Sequence, residues 1–220
     1  VNFLMKRIRP ILAIQFIRNM KFTAIISALA ATSVAAFAPS MGGRSITSLD
    51  AAVVYFSTST GNTETIAEYI AAAASIEVEE IGDASETEIV AYDGLIIGSP
   101  TWNTGADEQR SGTTWDDFLY STLPNLDLEG KNVAVFGMGD QQSYMDNYCD
   151  AAGELYDLFE AKGCKMFGLT STDGYSHLES KAQRDGKFCG LMCDEDNQYD
   201  LSEDRAKAWV EQLKSEGFAF

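Results

Sequence analysis

Residues 51–74 read AAVVYF-STSTGNT-ETIAEYIAAAA. The first six form a short apolar run of strand character. After the loop, Ile66, Ala67, Ile70, Ala71 and Ala74 recur at i, i+3 and i+4, the rhythm of a half-buried helix over Thr63 to Ala74. The loop between them, Ser57-Thr58-Ser59-Thr60-Gly61-Asn62-Thr63, opens directly onto that helix. Helix-terminal N–H groups, several hydroxyls and a glycine that lets the backbone close in make a cradle for a phosphate dianion. The loop has no lysine or arginine, so it departs from the G-x4-G-K-[ST] pattern that needs a lysine for the β- and γ-phosphates of a nucleoside triphosphate. A monophosphate fits better than ATP. Taken alone, the same residues also suit a Ser/Thr-rich turn with an N-cap.

Outward from this unit the pattern repeats. Apolar runs at Ala51 to Phe56, Ile76 to Glu80, Gly94 to Gly98, Lys131 to Gly137 and Cys164 to Leu169 predict five strands. Helices are expected at Thr63 to Ala74, Thr113 to Tyr120, Asp146 to Ala161 and Glu203 to Ser215. Such alternation predicts an α/β fold, a three-layer α/β/α sandwich around a five-stranded parallel doubly wound sheet. A ligand of that architecture sits beyond the C-terminal strand ends. Binding residues are therefore sought just after Phe56, Gly98 and Gly137.

Both remaining loops carry an aromatic there. The third strand leads into Ser99-Pro100-Thr101-Trp102-Asn103-Thr104-Gly105, and the fourth into Met138-Gly139-Asp140-Gln141-Gln142-Ser143-Tyr144-Met145-Asp146-Asn147. Either ring alone reads as a core or rim residue. Two of them on adjacent strand-end loops beside a phosphate cradle suit the faces of a flat heterocycle.

Together these loops resemble the flavodoxin family, a standard example of strand order 2-1-3-4-5 with FMN at the switch point. The resemblance covers residues 51–220. It rests on T-x-T-G-x-T at Thr58 to Thr63, P-T-W-N-x-G at Pro100 to Gly105, and F-G-x-G-D-Q at Phe136 to Gln141 with Tyr144. Ser171 to Tyr175 and Asp194 to Gln198 resemble the insertion of long-chain members near strand five. By position, the resemblance implies phosphate binding by Thr58, Ser59, Thr60 and Thr63 with the amides of Gly61 and Asn62. It implies that Trp102 and Tyr144 sandwich the ring within the stretches Thr101 to Gly105 and Gly139 to Asn147, with Asp140, Asp146 and Asn147 along its edge. The Asn103-Thr104 backbone corresponds to the peptide that turns its carbonyl toward the reduced ring. Two departures stand out: Asn62 replaces a lysine common in cyanobacterial members, and Ala106 to Thr114 is longer than in many relatives.

Charge fits a carrier with basic partners. Of 16 basic and 33 acidic residues, six and one fall in residues 1–50, leaving 10 and 32, a net −22, for residues 51–220. That field repels nucleic acid and anionic membranes and orients basic docking surfaces. The resemblance implies photosystem I and ferredoxin-NADP reductase as partners, a monomeric low-potential one-electron carrier substituting for ferredoxin, and no enzymatic activity. The alternative is an FMN-dependent quinone or nitro-compound reductase on the same fold. A phospho-acceptor receiver domain is excluded by Ser57, Ser99 and Thr170 where it needs acidic residues and a lysine. Gly137-Met138-Gly139 lacks the third glycine of a dinucleotide motif.

Cys149, Cys164, Cys189 and Cys193 lack C-x2-C spacing and read as free thiols of a reducing compartment, and a single histidine, His177, argues against a metal centre. Upstream, Met20-Lys21 precedes an apolar run from Phe22 to Ala38, too short for a comfortable membrane span. The run Ser33-Val34-Ala35-Ala36-Phe37-Ala38-Pro39 resembles the signal/transit junction of diatom-type plastid proteins. Residues 20–50 are thus expected to be a bipartite presequence for the chloroplast stroma. Residues 1–19 are expected to be an extension upstream of a start at Met20.

Overall fold

A computed structural model of the chain describes residues 52–220. The presequence and upstream extension lie outside the described residues. The strands of the main sheet are β1 (Ala52–Phe56), β2 (Glu77–Glu80), β3 (Gly94–Pro100), β4 (Asn132–Met138), β5 (Lys165–Phe167) and β9 (Gly190–Cys193). All pair in parallel, in the order β2-β1-β3-β4-β5, with β9 also against β4.

The fifth lane of the sheet is therefore two half-strands. Asn132 to Ala134 pair with β5, and Val135 to Met138 pair with β9. Between the halves the chain leaves the sheet and forms a small antiparallel sheet in the order β6-β8-β7, from β6 (Thr170–Ser171), β7 (Gln183–Arg184) and β8 (Lys187–Phe188). The expected single strand Cys164 to Leu169 is corrected accordingly: it ends at Phe167 and resumes at Gly190. Asp194 to Gln198 follow the second half-strand and do not belong to the excursion.

Helix α1 (Asn62–Ala74) and helix α5 (Ser202–Glu216) cover one face. Ile66, Ile70, Trp209 and Leu213 pack there on Val54, Ile96 and Phe136. The other face carries α2 (Glu86–Ala91), α3 (Thr114–Asp117) and α4 (Asp150–Ala161). Ile89, Trp115, Leu155 and Phe159 bury Val53, Tyr55, Leu95, Ile97, Val133 and Val135. Consecutive strand residues thus feed opposite cores, as the two-residue pleat requires.

Helix α2 has no counterpart among the expected helices, and two others differ from their expected bounds. The third was predicted as Thr113 to Tyr120, but α3 widens at Asp117 into a π turn, Phe118–Thr122, and a 3-10 turn at Leu123–Asn125 that contains Pro124. Helix α4 begins at Asp150, not Asp146, because Cys149 sits at φ 55 and the preceding residues close successive turns, Tyr144 N–H to Asp140 O and Asn147 N–H to Tyr144 O. A left-handed residue ends any continuous helix.

Candidate functional site

A cavity of about 390 Å³ opens at the C-terminal ends of β1, β3, β4 and β9. Of the predicted site residues, Thr60, Asn62, Thr63, Thr101, Trp102, Thr104, Gly139, Asp140 and Tyr144 line it. Pro100, Met138, Glu195 and Asp196 complete the lining and are not among the expected site residues. The signal that could have found Glu195 and Asp196 is the apolar run Gly190 to Cys193 just before them, since the residues after a strand in this class of sheet face the ligand.

Helix α1 points its N-terminus at the cavity. Gly61 is its N-cap in the left-handed conformation at φ 93, no side chain caps the helix, and nothing lies within 4 Å of where a Gly61 side chain would begin. Thr58 does not line the cavity: its hydroxyl accepts from Gly61 N–H at 3.0 Å and shapes the turn. Ser59 is exposed beside it.

Trp102 and Tyr144 are about half exposed, at 51% and 53%, although both belong to the lining of a concave site. Large rings held open in this way leave their faces free for a flat ligand. Thr101 is fixed from below, its hydroxyl accepting from Ala151 N–H at the start of α4. Asn103 and Gly105 belong to the adjoining turn, closed by Ala106 N–H to Asn103 O, and stand outside the lining. Asp146 and Asn147 also stand outside it. Asp146 is exposed, and the Asn147 amide donates to Asp150.

Asp140 is the most constrained carboxylate of the lining. Its Oδ1 accepts from Gln142 N–H, Ser143 N–H and the Asn197 side chain, each at 2.9 Å. Partial burial raises its pKa, but these donors outweigh burial and bring it down to about 2. It is a fixed negative charge at neutral pH. Asp196 is shifted upward by partial burial and by the charges of Asp140 and Asp194. With Glu195, these groups give the cavity a negative wall, and no basic side chain lines it.

The four cysteines are buried and unpaired. Burial pushes the Cys193 thiol up to about 12, which leaves it inert as a thiolate nucleophile. Among the described residues no cluster of metal-binding side chains occurs, and no helix is long and apolar enough to cross a membrane.

A doubly wound parallel sheet with a helix N-terminus, two open aromatic faces and an acidic wall at its switch point defines the class of proteins that hold a flat phosphorylated cofactor. The comparisons narrow the class. The flavodoxin family model matches residues 54–209. A flavodoxin of Nostoc sp. is 48% identical over 166 residues, covering 74% of this chain and 95% of that protein. Flavodoxin 1 of Escherichia coli is 39% identical over 167 residues, covering 74% and 92%. The crystal structure of Fusobacterium nucleatum flavodoxin bound to flavin mononucleotide superposes with a TM-score of 0.67 at 30% identity, covering 75% of this chain and 97% of that one. The chain belongs to the flavodoxin family. Flavodoxins are electron-transfer proteins rather than enzymes, so the reductase alternative is not favoured.

Proposed function

We propose that this flavodoxin is a long-chain member that carries single electrons at low potential on one non-covalently bound FMN, taking them from photosystem I and delivering them to ferredoxin-NADP reductase and similar acceptors in place of ferredoxin. The observation that carries the cofactor assignment is the pairing of two half-exposed rings, Trp102 and Tyr144, in one cavity with an uncapped helix N-terminus. The rings would hold the isoalloxazine. The amides of Asn62 and Thr63 and the Thr60 hydroxyl would hold the phosphate, whose charge the α1 dipole favours. FMN supplies the one-electron chemistry, and the protein supplies binding, orientation and field.

That field has a direction. Asp140, Glu195 and Asp196 stand in the cavity wall, and every negative charge there opposes adding another. The protein thereby disfavours the anionic, fully reduced cofactor and makes it a strong reductant. The excursion that splits the fifth lane supports the long-chain reading.

The net −22 of residues 51–220 supports basic partners. Electron transfer from photosystem I, followed by flash photolysis, should slow progressively between about 0.01 and 0.15 M salt, as the screening length falls from about 30 to about 8 Å. A rate independent of salt would contradict docking through the acidic surface. We further propose delivery to the plastid stroma by residues 20–50, on the evidence of the Ala36-Phe37-Ala38-Pro39 junction. A reporter carrying them should reach the stroma, and Phe37→Ala should stall it on the way. Secretion of the unaltered fusion would refute this reading.

A further inference from the structure

Helix α4 carries a carboxylate, Glu154, that is only 4% exposed and lies outside the cavity lining. Burying a charge is costly unless it is fully hydrogen-bonded. Glu154 is satisfied by donors from the long segment that follows the Trp102 loop. Its Oε1 accepts from Gln109 N–H at 2.8 Å and from the Tyr120 hydroxyl, and its Oε2 accepts from Arg110 N–H at 2.8 Å. The Arg110 guanidinium stands 3.9 Å from the same carboxylate and turns back to donate to Ala106 O at 2.9 Å and to Asp107 O. Gln109 is held at φ 58, a left-handed conformation that costs a non-glycine residue energy.

The other side of this loop grips the cavity wall. Arg110 O accepts from both Trp102 N–H, at 3.2 Å, and Asn103 N–H, at 3.1 Å. The Asn103 side chain donates to Gln109 O at 2.6 Å. A side chain at Gly112 would begin 2.8 Å from the Trp102 Cβ, so the loop also packs directly on the tryptophan.

We propose that Glu154 is a positioning residue for the Trp102 face of the cavity, acting through the backbone of Gln109 and Arg110. The carboxylate fixes the Gln109 and Arg110 amides, and the Arg110 carbonyl that follows them fixes the two amides of Trp102 and Asn103. The turn beyond, Asn103 to Ala106, carries Gly105 at φ 78 and is closed by Ala106 N–H to Asn103 O. The segment Gln109 to Gly112 is therefore a brace that ties the ring's backbone to helix α4. This inference deepens the FMN reading and rests on it only for its second readout.

The test compares the full chain with its Glu154→Gln variant, in which an amide NH2 replaces one accepting oxygen. In the FMN-free protein, exchange of the Trp102 and Asn103 amides should accelerate roughly tenfold relative to Val135 and Phe136 in the core of the sheet, because opening becomes local. FMN added to the same proteins should bind more weakly to the variant, by a factor of the same order. Exchange at Trp102 and Asn103 that is unchanged, or that rises only in step with Val135, would overturn the proposal. If Glu154→Gln does not fold, Glu154→Asp keeps the charge but draws the carboxylate back by one methylene from the Gln109 and Arg110 amides, and unchanged exchange at Trp102 and Asn103 in it would overturn the proposal equally. A wild-type chain that takes up no FMN while the variant's amides accelerate would refute the cofactor reading and uphold the brace.

Discussion

Tyr144→Ala is expected to weaken FMN binding by roughly 1 to 3 kcal/mol, comparable to the loss of a base stacked on an aromatic side chain. It is also expected to raise the potential of the second one-electron step. Tyr144 is 53% exposed and stands in the wall that holds Asp140, so removing its ring opens the cofactor's face to water. Water solvates the extra negative charge that the acidic wall opposes, and the reduced state gains more than the oxidised one. A tenfold gain is about 59 mV for one electron, and a shift of that order is expected. Thr60→Ala gives the contrast. Thr60 lines the cavity at the N-terminus of α1, and its hydroxyl would serve the phosphate, whose charge does not change on reduction. Its loss should weaken binding and leave the second potential nearly unchanged. Reductive titration of both variants decides the matter: equal shifts would show that ring and phosphate contacts have been assigned to the wrong loops.

Gly190→Val should abolish stable folding or lower stability by roughly 3 kcal/mol or more, at the upper end of overpacking costs. Gly190 pairs with Val135 at the start of β9, and a Cβ there would stand 1.8 Å from the Val135 carbonyl oxygen and 2.7 Å from its carbon. Both are backbone atoms of a central strand and cannot swing aside. The valine would push β9 off β4, and with it Asp194, which accepts from the Gln141 backbone and side chain and so ties the Tyr144 loop to the sheet. Stability and FMN affinity should fall together. A urea midpoint equal to that of the unaltered protein would contradict the split-lane register.

The parallel sheet was legible because β1, β3 and β4 are short apolar runs buried on both faces and α1 keeps a strict helical rhythm, while its strand order came with the family resemblance. The second half of the fifth lane was not. Gly190–Cys193 is four residues long, shows no alternation, and follows its first half only after a 22-residue excursion, Gly168 to Cys189, so nothing local marks the two as one lane. The Trp102 wall was legible for a related reason: a ring just past the end of a buried strand has no core left to enter, whereas Tyr144, farther along its loop, was legible only as its counterpart on the adjacent strand-end loop. Glu195 and Asp196 were assigned to the long-chain insertion rather than to the site, because the strand before them went unread. Helix α2 was overlooked despite a visible signal, since Ser85 and Glu88 form a capping box in which each side chain meets the other's backbone N–H. The early start given to α4 reflects polar residues that suit a first helical turn equally well as the turns they form. Only tertiary packing sets Cys149 in the left-handed conformation that delays the helix.

The central claim is that this cavity holds one FMN, and the most direct measurement is the visible absorption spectrum of the purified protein together with the flavin released from it by acid. The account predicts a yellow protein yielding one FMN per chain, and an apoprotein that quenches the fluorescence of added FMN with a one-to-one endpoint. A colourless protein whose apo form takes up no FMN would contradict it.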